Sequence, residues 1–528
     1  MAKEAAQSVP SPAPGTAPAP GPRLALALVV GFAAVKLLVH FVSVAVSPYG
    51  IHRDEFLYLA MGTHLRFWGM DFPPAIALLA NAARGLFGDT LFAIRFFPAL
   101  AGTGLVVLAG VIARELGGGR NAQGLAMLGV LLGPLFLRSA GLFQPVVFDQ
   151  VCWTLGFLAL IEIAQGSGRG WWLALGVSGG LGLLTKFSIG FFALAALVAM
   201  LLTPLRRALA TPWPYLAALV ALVVGSPSIV GQVRLDFPVA FWMRDLEMQQ
   251  LQRITPANFL GGQLLILGPA VLLAGAGLGC LLAGRSMRLY RVIGWTCVAA
   301  FLLLLVLHGK AYYIGPIYPT LFAAGAVALG ELRGRLGRAA RWTVLGLIVM
   351  WGAVTFPFGL PVVPPAPMAR YSATQATQAA TATNRGTALR LPQDYADMLG
   401  WEDLVRAVAK AYQSLPAEKR AQAVFVASNY GEAGALEFLG PRYGLPPRVL
   451  LPGTTVLWRP RPGETHNVVV TVGISPDDLR RFLTTVRVVS LFDNPWMTDE
   501  ERHLPICVAD TPYGNNRELQ KVWAPRKR

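Results

Sequence analysis

Long apolar segments separated by short polar loops dominate the first 360 residues of the chain. A helix needs about 20 apolar residues to cross a bilayer. The composition agrees with membrane insertion, since 54% of the 528 residues are hydrophobic and only 14% are charged. We therefore predict an α-helical polytopic membrane protein. About eleven transmembrane segments can be placed, over residues 24–46, 91–113, 121–137, 147–165, 171–185, 187–203, 213–231, 259–283, 290–307, 313–331 and 342–358.

The charged residues of these loops sort by membrane side. With the N-terminus inside, arginines such as Arg114, Arg169 and Arg206 fall on alternate loops, as the positive-inside rule describes. This bias explains the net charge of +17, and no aromatic-basic interleaving indicates a nucleic-acid partner. An odd number of spans leaves the C-terminus outside. The carboxylates on the predicted outer side are Asp54, Glu55, Asp71, Asp89, Asp149, Asp236, Asp245 and Glu247.

Composition divides the chain into four predicted parts. Residues 1–22 form a disordered cytoplasmic tail rich in Pro and Ala. Residues 23–358 form the transmembrane domain, whose first loop (residues 47–88) is long and lies outside. Residues 359–370 form a proline-rich linker, and residues 371–528 form a small extracytoplasmic α/β domain. The elements predicted in this α/β domain are helices over 401–414 and 476–484 and strands over 421–428, 467–472 and 486–492.

The first loop carries the acids best placed for chemistry. Asp54 and Glu55 follow the first span, and the apolar face of the run after them predicts a helix along the membrane interface. Sugar transfer from a lipid phosphate needs a carboxylate that accepts the proton of the attacking hydroxyl, and either acid suits this catalytic role. The simpler alternative is that both are solvated or pair with Arg53. The apolar residues of this predicted helix are Phe56, Leu57, Met61, Leu65 and Trp68.

A departing lipid phosphate needs cations or hydroxyl donors that stabilise its growing charge. Lys186 interrupts two apolar runs, where a charge is usually functional or snorkels to the surface. Tyr312 and Tyr313 follow Lys310, either as site residues or as part of an aromatic belt. Asp149 begins a span, either as a helix cap or as a site acid. The predicted substrate-binding residues are Arg53, Tyr58, Asp71, Asp149, Lys186, Lys310, Tyr312 and Tyr313.

The sequence does not specify a cofactor. His52, His64 and His308 have no metal-ligand spacing to one another, and the four cysteines form neither a zinc pattern nor a disulfide framework. Whether the protein binds a divalent metal therefore stays open. The run from Ser428 to Ala435 follows a strand and opens a helix, either as a structural turn or as a place where backbone amides bind phosphate or sugar.

Taken in order, several motifs resemble the type C glycosyltransferases of the protein mannosyltransferase superfamily, specifically bacterial family 39 and its aminoarabinose-transferase-like relatives. The resemblance covers nearly the whole chain. It rests on Asp54-Glu55, Asp71-Phe72-Pro73-Pro74, the run from Arg95 to Gly102, Asp149, Leu183-Leu184-Thr185-Lys186, the run from Lys310 to Pro319, and the run from Asn429 to Leu436.

The resemblance implies a type C glycosyltransferase fold in a bacterial inner (plasma) membrane. It also implies inverting transfer of a hexosyl or pentosyl group from a polyprenyl-phosphate donor to an extracytoplasmic acceptor, such as a protein, lipid A or a cell-envelope glycan. Phe72 departs from the family pattern, which often has His or Lys there, so no phosphate or metal contact is expected at that position. Asp54 matches the family's catalytic acid, and Glu55, Asp149, Lys186 and Lys310 match positions that line the cavity in relatives.

Two other functional classes stay open on the sequence. One is a flippase or carrier for a lipid-linked sugar, and the other is a non-catalytic subunit of an envelope polysaccharide complex. An enzyme is favoured because the ionisable residues gather at one membrane surface, whereas those of transporters line the bilayer midplane.

Overall fold

The structure, a computed structural model, describes residues 21–374, 388–451, 455–460, 468–481 and 483–510. The predicted cytoplasmic tail over residues 1–22 lies outside the described residues except for its last two. Parts of the predicted α/β domain, among them residues 511–528, also lie outside them.

Helices account for most of the described chain up to Gly359. Among the described residues, seven helices are long and apolar enough to cross a membrane, or up to ten spans result if each bent pair counts as one. Every predicted segment coincides with a helix or a helix pair, which confirms a multi-pass α-helical membrane protein. The helices are α1 (Leu26–Val46), α2 (Arg53–Thr63), α3 (Ala75–Phe87), α4 (Leu91–Glu115), α5 (Arg120–Leu132), α6 (Pro134–Ala140), α7 (Pro145–Gln165), α8 (Gly170–Thr185), α9 (Ile189–Leu202), α10 (Trp213–Arg234), α11 (Pro238–Gln249), α12 (Pro256–Leu267), α13 (Ala270–Ala283), α14 (Arg291–Val306), α15 (Tyr318–Glu331) and α16 (Gly334–Gly359).

Several apolar segments bend where a proline lacks the backbone N–H that would continue the helix. The chain turns by 62° between α5 and α6 at Pro134, and by 107° between α9 and the 3₁₀ helix Pro204–Ala210. The segment predicted over 259–283 forms two helices, α12 and α13, which meet at 110°. At that break Gly268 has a φ of +52°, which favours glycine, and Pro269 follows it.

The α/β domain contains a sheet whose strands are β1 (Ala423–Ala427), β2 (Val449–Leu450), β3 (Val468–Val472), β4 (Thr484–Phe492) and β5 (Leu504–Asp510). Their order in the sheet is β2-β1-β3-β5-β4. Strand β1 pairs in parallel with β2 and β3, whereas β5 runs antiparallel to both β3 and β4. The carboxyl ends of β1 and β3 therefore lie side by side at one edge of the sheet.

Most predicted elements of the α/β domain are confirmed, namely the helix over 401–414 and the strands over 421–428, 467–472 and 486–492. The helix predicted over 476–484 ends earlier, at Arg480. The sequence does not predict β5, because Pro505 interrupts its strand pattern. The helices of this part, the first of which overlaps the predicted linker, are α17 (Pro365–Ser372), α18 (Gln393–Ala396), α19 (Trp401–Gln413), α20 (Ala417–Gln422), α21 (Tyr430–Leu439) and α22 (Pro476–Arg480).

The first loop and the α/β domain share one apolar core. The Phe56 ring of α2 lies 5.8 Å from the Trp401 ring and 6.3 Å from the Phe438 ring, measured between centroids. The predicted helix therefore exists as far as Thr63, but the prediction that its apolar face lies on the membrane interface is wrong, because the α/β domain and α3 cover that face. Of the five apolar residues predicted in it, Phe56, Leu57 and Met61 lie in α2 and are buried. Leu65 and Trp68 lie beyond the end of α2, where Leu65 is half-buried and Trp68 is 45% exposed.

Candidate functional site

A capping box fixes the beginning of α2. The His52 Nδ1 atom accepts a hydrogen bond from the Asp54 amide at 3.0 Å, and the Glu55 Oε2 atom accepts one from the His52 amide at 2.8 Å. These bonds satisfy amides that the first turn of a helix leaves without partners. Asp54 is therefore held in a defined first turn.

Glu55 is fully buried, and its carboxylate accepts four hydrogen bonds. The Oε1 atom accepts from Arg95 Nε at 3.1 Å and from the Phe143 amide at 2.9 Å, and Oε2 accepts from Arg95 at 3.1 Å in addition to His52. Burial disfavours the ionised form, but the Arg95 charge and the hydrogen bonds outweigh it and lower the pKa of Glu55. A fully bonded carboxylate has no room for a substrate, so we assign Glu55 a positioning role in place of the predicted catalytic one.

Asp54 has a different environment, because its side chain is only half-buried. The Oδ1 atom accepts a hydrogen bond from the Tyr430 hydroxyl at 2.7 Å, and Oδ2 accepts one from Gln144 Nε2 at 3.0 Å. One helical turn later, Tyr58 interacts electrostatically with both Asp54 and Tyr313. A carboxylate accepts about four hydrogen bonds in all, so Asp54 keeps the capacity to accept a proton from a substrate.

Two lysines and two tyrosines gather near Asp54. Lys186, at the break between α8 and α9, places its Nζ 4.7 Å from the ring centroid of Tyr313 and 5.9 Å from that of Tyr312. Burial lowers the pKa of Lys310 to about 8, while the negative charge of Asp54 favours its protonated form. The contact with Lys186 favours a site role for both tyrosines over an aromatic belt.

Asp149 faces the same group of residues from the second turn of α7. Its side chain is 3% exposed and interacts electrostatically with Lys186. The attraction between this buried acid and the half-buried lysine compensates part of the cost of removing both charges from water. The interaction with Lys186 places Asp149 in the predicted site. It favours the role of a site acid over that of a helix cap.

Residues that the sequence prediction omits complete the site. Arg138 of α6 is 52% exposed, forms an ion pair with Asp394 and interacts electrostatically with Asp54 and Tyr312. Arg138 directly follows the predicted span 121–137 at its outer end, where the positive-inside rule disfavours an arginine, and that position is the signal that could have identified it. We call the following group of residues the Asp54 site: Asp54, Tyr58, Arg138, Gln144, Asp149, Lys186, Lys310, Tyr312, Tyr313 and Tyr430.

The remaining predicted residues, Arg53 and Asp71, bind the α/β domain. The Arg53 guanidinium lies 4.9 Å from the ring centroid of Tyr430 and pairs with Glu500 at 3.2 Å. Asp71 is 1% exposed, and its Oδ2 atom accepts a hydrogen bond from the Val456 amide at 3.1 Å. Their contacts favour a role in domain docking over the predicted role in substrate binding.

A buried acid pair lies behind this docking surface. Glu432 is fully buried, accepts hydrogen bonds from the Ser428 amide and hydroxyl at 2.6 and 2.9 Å, and interacts with the 1% exposed Glu501. Burial and the neighbouring Glu501 charge raise the pKa of Glu432 from 4.5 to about 8. Between these two values the folded protein binds more protons than the unfolded chain, so stability decreases as pH rises.

We expect Glu432→Gln to remove part of this pH dependence. The amide is neutral at every pH, so the variant is expected to gain stability relative to the wild type as pH rises from about 5 to about 8.5. The measurement is the apparent unfolding temperature of the purified protein in detergent across that range. Glu418→Gln, at an exposed position of α20, is the matched control and is expected to follow the wild type. An unchanged slope in Glu432→Gln would contradict the assignment.

Within the described residues, no group of three or more His, Cys, Asp and Glu side chains has the geometry to hold a metal ion. Phe72 packs its ring 5.3 Å from that of Trp242. The Asp54 site offers a carboxylate, cations and hydroxyl donors. This set of groups suits the displacement of a phosphate leaving group by a hydroxyl.

A comparison with protein families finds one match over part of the chain. Residues 71–230 match the family described as dolichyl-phosphate-mannose-protein mannosyltransferase. This segment includes Asp149 and Lys186 but begins after Asp54. No curated protein sequence matches the chain significantly.

Solved structures share the fold over most of the chain. ArnT from Cupriavidus metallidurans bound to undecaprenyl phosphate matches with a TM-score of 0.59 and 18% identity, over 95% of this chain and 100% of that one. Its apo state gives a TM-score of 0.60 at the same identity and coverage. The apo oligosaccharyltransferase from Archaeoglobus fulgidus matches at 0.51 and 11% identity, over 82% of this chain and 64% of that one. These findings confirm the type C glycosyltransferase fold and the resemblance to the protein mannosyltransferase superfamily.

Proposed function

We propose that this protein is an inverting glycosyltransferase that moves a hexosyl or pentosyl group from a polyprenyl-phosphate donor to an extracytoplasmic acceptor. The observation that carries the proposal is the half-buried Asp54 carboxylate, which two neutral donors hold near Lys310 and Arg138. Lys186 lies against Tyr312 and Tyr313 of the same site. The shared fold supports it, because the ArnT structure contains undecaprenyl phosphate. The partial match to a mannosyltransferase family supports the same chemistry.

The proposed reaction is a single displacement. Asp54 accepts the proton of an acceptor hydroxyl, whose oxygen forms a bond to the anomeric carbon of the sugar. The bond between that carbon and the phosphate oxygen breaks, and polyprenyl phosphate leaves with one additional negative charge. Lys186, Lys310 and Arg138 stabilise this charge, as cations do for departing phosphates. Attack opposite to the leaving group inverts the anomeric configuration.

The proposed location follows from the charge distribution. The arginine-bearing loops face the cytoplasm, so the first loop and the α/β domain lie outside the plasma membrane of a bacterium. Membrane lipid, the lipid-linked donor and an extracytoplasmic acceptor are then the partners. A protein, lipid A or a cell-envelope glycan each provides an acceptor nucleophile at that surface.

A panel of donors tests the proposal. The purified protein is incubated with a series of undecaprenyl-phosphate sugars and with each acceptor class, and the release of undecaprenyl phosphate is measured. We expect release with one sugar or a few related sugars, and faster release when the correct acceptor is present. A flippase or carrier would instead move the intact donors across vesicles without releasing undecaprenyl phosphate, and that result would refute the proposed enzyme.

A further inference from the structure

The motif from Asn429 to Leu436 binds another part of the same chain. The Asn429 Oδ1 atom accepts hydrogen bonds from the amides of Gly431 at 2.9 Å and Glu432 at 3.1 Å, and its Nδ2 atom donates to Glu501 at 3.1 Å. The N-terminus of α21 is therefore capped from within. Because these amides already have hydrogen-bond partners within the chain, they are not available to bind the phosphate or sugar that was the alternative for this motif.

Two glycines bring α21 unusually close to α2. A Cβ atom at Gly431 would lie 2.6 Å from Arg53 Cγ, and one at Gly434 would lie 2.7 Å from Phe56 Cβ. Such separations are shorter than real Cβ contacts allow, so a larger residue at either position would push the helices apart. The glycine spacing of three residues places both positions on one face of α21. The motif thus encodes a close contact between the two helices.

This contact delivers the Tyr430 hydroxyl to Asp54. Tyr430 is the first residue of α21, and its hydroxyl donates to Asp54 Oδ1 at 2.7 Å. The Arg53 guanidinium covers the Tyr430 ring at 4.9 Å and is itself held by Glu500 and Glu501 at 3.2 and 3.5 Å. The position of the Tyr430 hydroxyl is therefore fixed in two ways. Arg53 holds the ring, and the Asn429 cap holds the first turn of α21.

We infer that Tyr430 is a positioning residue for sugar transfer and that the α/β domain completes the catalytic site. The inference rests on the proposed role of Asp54 as the base. The Tyr430 and Gln144 donors, on opposite oxygens, hold the Asp54 carboxylate in one orientation, so that a lone pair on each oxygen stays available in a fixed direction. Orientation of a reacting group lowers the barrier to its reaction.

The test replaces Tyr430 with Phe, which keeps the ring under Arg53 and removes only the hydroxyl. We expect kcat to fall by about 10-fold to 100-fold, the effect of one hydrogen bond to a charged group. We also expect KM for the donor and the binding of undecaprenyl phosphate to stay unchanged, so that the loss falls on kcat alone. The matched control is Tyr412→Phe, whose hydroxyl donates to the Arg420 carbonyl at 3.2 Å in the same domain.

The possible results separate this inference from the proposed function. If Tyr430→Phe keeps the wild-type kcat while Asp54→Asn is inactive, the inference fails and the proposed function stands. If Asp54→Asn transfers sugar normally, the proposed base fails first. If Tyr430→Phe loses activity and thermal stability together, beyond the Tyr412→Phe control and with KM or undecaprenyl-phosphate binding changed as well, Tyr430 is merely structural and the inference is overturned.

Discussion

Asp54→Asn is expected to lower the rate of sugar transfer by about 10² to 10⁴, the contribution typical of a general base. Asparagine has nearly the same shape but cannot accept the proton of the acceptor hydroxyl. In the proposed mechanism the lysines, Arg138 and the tyrosines bind the donor, so we expect the binding of undecaprenyl phosphate to be retained. The measurement compares single-turnover transfer with equilibrium binding of undecaprenyl phosphate by the same preparation.

The matched control for this substitution is Asp89→Asn, close to the end of the first loop. Asp89 is 47% exposed and pairs with Arg84 at 2.6 Å. An exposed pair of this kind contributes about 0–1 kcal/mol, so the control is expected to keep both stability and transfer. Full activity of Asp54→Asn would remove the proposed base. Equal losses in both variants would point to general damage of the first loop.

Glu55→Gln is expected to produce the largest loss of stability, about 3–5 kcal/mol, because it leaves a buried charge without its partner. The partner is Arg95, which is 2% exposed and contacts the fully buried Glu55 at 3.1 Å. Glutamine preserves the volume of the side chain but cannot balance the charge. The measurement is the apparent unfolding temperature in detergent, with transfer activity scored per folded molecule.

Two further variants show whether this loss of stability comes from the unpaired Arg95 charge. Adding Arg95→Met to Glu55→Gln removes the orphaned charge, so the double variant is expected to regain part of the lost stability. Glu247→Gln, at an exposed position of α11, is the control and is expected to change little. A Glu55→Gln protein that is fully stable yet inactive would favour Glu55 over Asp54 as the base.

The spans could be predicted because their signal is local. Runs of about 20 apolar residues identify a membrane helix without any tertiary information, and each predicted segment coincides with a helix or helix pair. The 110° break at Gly268-Pro269 marks the limit of that approach, since hydropathy does not distinguish a straight span from a bent one. The burial of Phe56 could not be predicted either, because the residues of α21 that pack over it lie far along the chain.

The candidate site was predictable to the extent that its residues are unusual within their own segments. Lys186 and Lys310 stand out because charges are rare in apolar runs. Asp54 and Glu55 are neighbours in the sequence, and only the family resemblance, not their spacing or surroundings, distinguishes them there. The structure separates them through a partner that is distant in sequence, because Arg95 lies 40 residues after Glu55. Tyr430 was missed for the same reason.

The hydrogen bond between Asp54 and Tyr430 joins residues 376 positions apart, which has a consequence for biosynthesis. A ribosome adds about 5 to 20 residues per second, so the nascent chain waits about 20 to 75 s between making the acid and making its hydroxyl donor. Over that interval, insertion of the spans proceeds while the acid lacks this contact. Full activity is therefore expected to begin only after release and folding of the final part of the polypeptide, and prematurely terminated chains are expected to enter the bilayer with an impaired active centre.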